Sequence, residues 1–124
     1  MADESKVTLQ GQANGVSQAP QLLADLVQQA ERAGASDIHL QMRGPTADVA
    51  FRLDGVIGPL TELPSPVAER VVGRIKFLAR LKTYQDSLPQ DGRIERAELG
   101  SQHDIRVATY PTVTGEKIVL RLFN

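Results

Sequence analysis

Asp104-Ile105-Arg106-Val107-Ala108-Thr109-Tyr110-Pro111-Thr112-Val113-Thr114-Gly115-Glu116-Lys117-Ile118-Val119-Leu120-Arg121-Leu122-Phe123 is the stretch that decides the fold. Folded back between Val113 and Thr114, it sets Ile105 against Leu122, Val107 against Leu120 and Thr109 against Ile118. Side chains alternate along a strand, so these residues share one face, and Arg106, Ala108, Val119 and Arg121 share the other. A slip by one residue would turn the apolar set to water. The stretch therefore reads as two antiparallel strands, Asp104–Tyr110 and Glu116–Phe123.

In this register Arg106 opposes Arg121 directly. Like charges across a hairpin destabilise it. A phosphate between them reverses the sign, because the planar guanidinium fork suits phosphate oxygens. The alternative is that both are solvated, or that each pairs with Asp104, Glu98 or Glu116. A two-residue slip would keep both arginines on one face and make the pair diagonal. Neither arginine completes the apolar face, so replacing either one should relieve repulsion without opening a cavity.

Working outward, Arg93–Leu99 is a third strand candidate, and residues 83–92, with Pro89 and Gly92, read as a loop. Upstream, Ser65-Pro66 is a helix start, with a capping side chain and then proline at the first helical position. Val67, Val71, Val72, Ile75, Leu78 and Ala79 form the buried stripe of that helix, which should end near Lys82. Arg70, Arg74, Lys76, Arg80 and Lys82 give it a basic face, either solvated or fit for a protein or nucleic-acid partner. Before the helix come Ile38, Leu40 and Met42, then Val49, Phe51 and Leu53, both in strand alternation around a loop at Arg43–Thr46. Pairing Met42 with Val49 makes Leu40 face Phe51 and Ile38 face Leu53. Asp54-Gly55 is a two-residue hairpin turn into a third strand, Val56–Leu63, interrupted by Gly58-Pro59. Leu22, Leu23, Leu26, Val27, Ala30 and Ala33 recur at helical spacing from Pro20, with Gly34 as the C-terminal cap. Residues 1–19, rich in Gln, Gly, Ala and Ser, read as a flexible arm. The order is helix, three strands, helix, three strands: an α+β domain built on antiparallel hairpins.

Composition bounds the chemistry. A length of 124 residues indicates one domain, and 41% hydrophobic residues are enough for a core. Net charge is −1, so attraction to an anion must come from a local cluster. The absence of cysteine removes thiol catalysis, disulfides and thiolate metal sites, and two histidines are too few for an ordinary histidine zinc site. His39, on the polar face of its strand beside Asp37 and Gln41, reads as a hydrogen-bonded structural residue. Thr114-Gly115-Glu116-Lys117 is not a Walker A loop, which needs Gly, four residues, then Gly-Lys-Ser/Thr. No catalytic residue and no metal ligand is assigned. Sparse aromatics argue against RNA binding on the sheet, and no apolar run reaches the roughly 20 residues of a membrane span.

Six stretches, in this order, resemble one family: Ala35-Ser36-Asp37-Ile38-His39-Leu40, Phe51-Arg52-Leu53-Asp54-Gly55-Val56, Arg74-Ile75-Lys76, Pro89-Gln90-Asp91-Gly92-Arg93-Ile94, Ile105-Arg106-Val107-Ala108-Thr109 and Gly115-Glu116-Lys117-Ile118-Val119-Leu120-Arg121-Leu122. Over residues 20–124 the chain resembles the N-terminal domain of the hexameric ATPases of type II secretion and type IV pili. The departures are Gln41-Met42, where the family has Glu-Pro, and Ser87-Leu88, where a basic residue is common. The resemblance implies a PAS-like antiparallel sheet flanked by helices. It implies a RecA-like motor domain beyond a linker that would begin near Asn124. Arg106 and Arg121, with Arg93 as a weaker third, would reach over ATP held by that motor domain. This chain would need no cofactor of its own; ATP and Mg²⁺ belong to the full-length family. Its partners would be a motor domain of the same or a neighbouring subunit and secretion or pilus machinery proteins, in the cytoplasm at the inner face of the membrane. The rival reading is a free-standing PAS-like module that binds a small ligand or a protein.

Overall fold

The computed structural model describes residues 18–122. Alternating apolar and polar residues build strands β1 (Asp37–Arg43), β2 (Thr46–Leu53), β3 (Val56–Pro64), β4 (Gln90–Ile94), β5 (Ile105–Thr112) and β6 (Gly115–Arg121). They form one six-stranded sheet in the order β3-β2-β1-β6-β5-β4. Every neighbouring pair is antiparallel. Two three-stranded meanders thus join along β1 and β6. Helices α1 (Ala19–Arg32) and α2 (Ser65–Leu78) pack on the apolar face, and a short helix α3 (Arg96–Leu99) rests on α1. The expected α+β architecture holds, and the element order holds except that α3 intervenes between β4 and β5. Of the expected arm, residues 1–17 lie outside the described residues, and Ala19 already belongs to α1.

The core is the meeting of helical and strand periods. Leu22, Leu23, Leu26 and Val27 of α1 and Val67, Val71 and Ile75 of α2 bury against Ile38, Leu40, Val49, Phe51, Val107, Ile118 and Leu120 of the sheet. Leu53 does not join them and is 40% exposed. The sequence places Met42 opposite Val49, but the strands pair Leu40 with Val49 and Ile38 with Phe51. The connection is only Gly44-Pro45: Gly44 has φ of 72° and proline fixes a negative φ, the sign pattern of a tight hairpin turn. Shortening the turn shifts the register by two residues. The same face stays apolar, but Leu53 moves past the end of β1. Asp54-Gly55 turns as expected, with Leu53 opposite Val56. β3 is continuous through Gly58-Pro59 and absorbs Leu60 as a bulge opposite Val49 and Ala50. It is an edge strand, where proline is tolerated.

Three further boundaries move. Ser65 is the first residue of α2 and Pro64 takes the cap position without a side-chain cap bond, so the expected serine cap is absent. Ser65 N–H instead donates to Pro45 O at 2.9 Å, tying the helix to the β1–β2 turn. α2 ends at Leu78, not near Lys82. Both main helices close with the same pair of bonds, Gly34 N to Glu31 O and Ala35 N to Ala30 O in α1, Arg80 N to Phe77 O and Leu81 N to Lys76 O in α2. Gly34 takes the left-handed position freely; in α2 Arg80 is forced into it at φ 61°. The strand expected over Arg93–Leu99 is split. β4 begins earlier, at Gln90, whose amide bonds the backbone of Lys82 through both its atoms. The helix formers Arg96-Ala97-Glu98-Leu99 make α3 instead, started by Asp104 Oδ1 accepting from Arg96 N–H at 2.9 Å, which buries Leu99.

Candidate anion-binding face

The face of the sheet away from the helices carries the polar half of each strand. The β5–β6 register matches the sequence reading: Arg106 faces Arg121, Val107 faces Leu120, Ala108 faces Val119 and Thr109 faces Ile118. Arg93 faces Arg106 from β4. Across the centre Arg121 faces Asp37, and Asp37 faces Arg52. One row therefore crosses five strands: Arg52, Asp37, Arg121, Arg106, Arg93. With strands about 4.8 Å apart, the row runs for about 19 Å. The structure thus brings all three sequence-predicted arginines together and adds two members, Arg52 and Asp37.

The arginines differ in what holds them. Asp37 is 3% exposed. Its Oδ2 accepts from Arg52 Nε at 3.0 Å and its Oδ1 from Arg121 Nε at 3.1 Å. Arg52 is fastened again by Nη1 donating to Gly55 O at 2.9 Å. Arg93 Nε stands 3.8 Å from Asp104, a loose surface pair. Arg106 is exposed, and among the described residues its side chain has no ion pair and no hydrogen bond. It borders a cleft of about 520 Å³ with Arg121, Asp91, Gly92, Ala108, Tyr110 and Val119. Of the acids named for pairing in the sequence, Asp104 takes Arg93; Glu116 is engaged by Lys76.

His39 lies one pleat along from Asp37, between Ala50 and Val119. The hydrogen bonds expected for it are absent: among the described residues neither buried ring nitrogen has a partner. Burial, and then the Lys117 ammonium, hold its pKa below the usual 6.5, against the pull of Asp37 in the other direction. Its Nε2 stands 4.0 Å from Asp37 Oδ2, beyond hydrogen-bond reach.

The basic run expected along α2, which extends past its end at Leu78, also divides. Arg70, Arg80 and Lys82 are exposed, and Arg74 sits over the Phe77 ring at 5.6 Å. Lys76 is 2% exposed, with Nζ 2.7 Å from Gln85 O and 2.8 Å from Glu116 Oε2. A signal for this was present, since Val72, Lys76 and Ala79 follow i, i+4, i+7 and put Lys76 in the buried stripe.

A profile of the family described as Type II/IV secretion system protein matches residues 12–124. The chain is 41% identical over 100 residues to the type IV pilus assembly ATPase TfpB of Acinetobacter baylyi, covering 80% of this chain and 17% of that protein. It is 42% identical over 103 residues to type II secretion system protein E of Pseudomonas aeruginosa, covering 83% and 20%. The chain thus spans about a fifth of the length of these curated relatives. The crystal structure of the pilus retraction motor PilT with bound ADP has a similar fold, at a TM-score of 0.57 and 19% identity, over 82% of this chain and 29% of that one. The matches converge from sequence and fold, and the chain belongs to the type II/IV secretion system protein family.

Proposed function

We propose that this chain is the non-catalytic N-terminal assembly and nucleotide-sensing domain of a hexameric type II secretion or type IV pilus ATPase. Its arginine row closes over the phosphates of ATP held by a RecA-like motor domain of the same or a neighbouring subunit. The observation that carries this reading is Arg106: an exposed guanidinium with no counter-ion among the described residues, set between Arg93 and Arg121. Such a placement costs stability unless an anion completes it. A cation that meets phosphate charge as it develops favours phosphoryl transfer.

Among the described residues no three His, Asp or Glu side chains gather as a metal site. The arginines fit phosphate oxygens, and Mg²⁺ would be held by motor-domain residues. By itself the chain would not turn over ATP. Among the described residues no helix is long and apolar enough to cross a membrane; a cytoplasmic place at the membrane, reached through secretion or pilus proteins, is part of the same proposal. The test is Arg106→Ala in the full-length ATPase. Turnover falls on the order of ten-fold if the guanidinium faces the phosphates. Unchanged turnover in a correctly assembled ATPase defeats the reading.

A further inference from the structure

The row contains one carboxylate, and a buried carboxylate among cations that are meant for phosphate is a competitor for them. Asp37 could cancel Arg121 and leave the row weaker. Its geometry argues for the opposite. Asp37 is 3% exposed and is held on both sides, Oδ1 by Arg121 Nε at 3.1 Å and Oδ2 by Arg52 Nε at 3.0 Å. Its one negative charge is thus shared with two positive ones, and the trio keeps a net charge of +1. Arg52 is the deeper partner: its side chain is 34% exposed against 58% for Arg121, and Nη1 is committed to Gly55 O. Arg52 is therefore the counter-ion, and Arg121 keeps charge to offer.

Direction follows from the same contacts. A guanidinium is planar, so fixing its Nε–H fixes where both terminal amino groups point. Arg121 meets Asp37 only through Nε, and among the described residues its two Nη groups have no partner. Arg106, unpaired among the described residues, is its cross-strand neighbour, and the two line the same cleft.

We infer that Asp37 is a positioning residue for phosphate binding, with Arg52 as its neutralising partner: it holds Arg121 by Nε so that the Nη fork of Arg121 and the guanidinium of Arg106 form one polyphosphate site. This inference rests on the phosphate reading of the row, but it fails separately.

The experiment sets charge against position. Asp37→Asn adds one unit of positive charge to the face, so bulk electrostatics alone predicts tighter anion binding. Positioning predicts weaker binding. The probe is inorganic tripolyphosphate titrated at low salt into the 124-residue chain, with the arginine Nε–H resonances followed by NMR alongside the backbone amides. The expected result is a Kd raised roughly five-fold or more in Asp37→Asn, as suits the loss of one oriented charge-assisted contact. Loss of the protected Arg121 Nε–H signal accompanies it, while the backbone amides report an intact fold. Equal or tighter binding by Asp37→Asn, or an Arg121 Nε–H still protected there, overturns the role of Asp37 and leaves the phosphate reading standing. No binding by the unaltered chain overturns both. If Asp37→Asn does not fold, Arg121→Lys carries the test. It keeps the charge and removes the fork, so a Kd equal to that of the unaltered chain overturns the inference.

Discussion

At the residue scale, two arginines that the sequence treats alike are different objects. Arg106 opposes Arg121 and touches no carboxylate among the described residues, so removing it relieves repulsion. Arg106→Ala should leave the chain as stable as before, or up to about 0.5 kcal/mol more stable. Arg121 pairs with buried Asp37, so Arg121→Ala strips that carboxylate of one of its two cations. With Arg121 more than half exposed, the loss should be about 1 kcal/mol. Denaturant melts of the two variants separate them; equal midpoints would mean that the Arg121–Asp37 bond contributes nothing. His39 carries a pH effect whose sign follows from its lowered pKa, caused first by burial and then by Lys117. Between the folded value and the unfolded value near 6.5 the unfolded chain binds more protons, so stability is full above about 6.5 and is lost as pH falls through that window. His39→Gln should shrink the fall in melting temperature between about pH 7.5 and about pH 5.5. The same fall in both proteins would place the acid sensitivity elsewhere.

At the element scale, the buried Lys76–Glu116 pair joins the second main helix to the sixth strand and, through Gln85 O, to the loop after the helix. Leaving one charge buried without its partner is far more costly than removing both. Lys76→Met alone should cost about 3 kcal/mol, and most of that should return in Lys76→Met with Glu116→Gln. A double variant no better than the single one would show that the two side chains do not act as a pair. This element-to-element tie was legible only in part. Its helical spacing put Lys76 on the inner stripe, yet a run of five basic residues read as one surface. Strand pairing was more legible, because a period of two states which residues share a face. It does not state turn length, and so the first hairpin was set two residues out while its inner face was right. The arginine row shows the same limit. The opposition of Arg106 and Arg121 follows from one hairpin. Arg52 and Asp37 enter only when β1 lies beside β6, more than 80 residues apart in sequence, and local pattern carries no information about that contact.

At the scale of the whole molecule, a net charge of −1 predicts no attraction to anions, yet four arginines share one transverse row of the open sheet face. Placement, not total charge, decides. The helices cover the other face, so an anion that binds the row binds only the folded chain: the row is assembled from strands of both meanders and does not exist in the unfolded state. Binding then stabilises by mass action, about 1.4 kcal/mol when free ligand is ten times its Kd. For a domain of this size that is a rise of about 5 °C in melting temperature. Tripolyphosphate should give this rise at low salt, and the rise should shrink as salt screens the exposed guanidinium groups. Arg106→Ala separates this from general salt effects, because its two consequences have opposite signs. Without ligand it melts at the same temperature as the unaltered chain or slightly above it. With ligand it should lose most of the rise. Thermal melts of both proteins, with and without tripolyphosphate, measure all four values. A rise in Arg106→Ala as large as in the unaltered chain would mean that the anion binds elsewhere, and the row would then be a solvated stripe of the sheet face with no phosphate to meet.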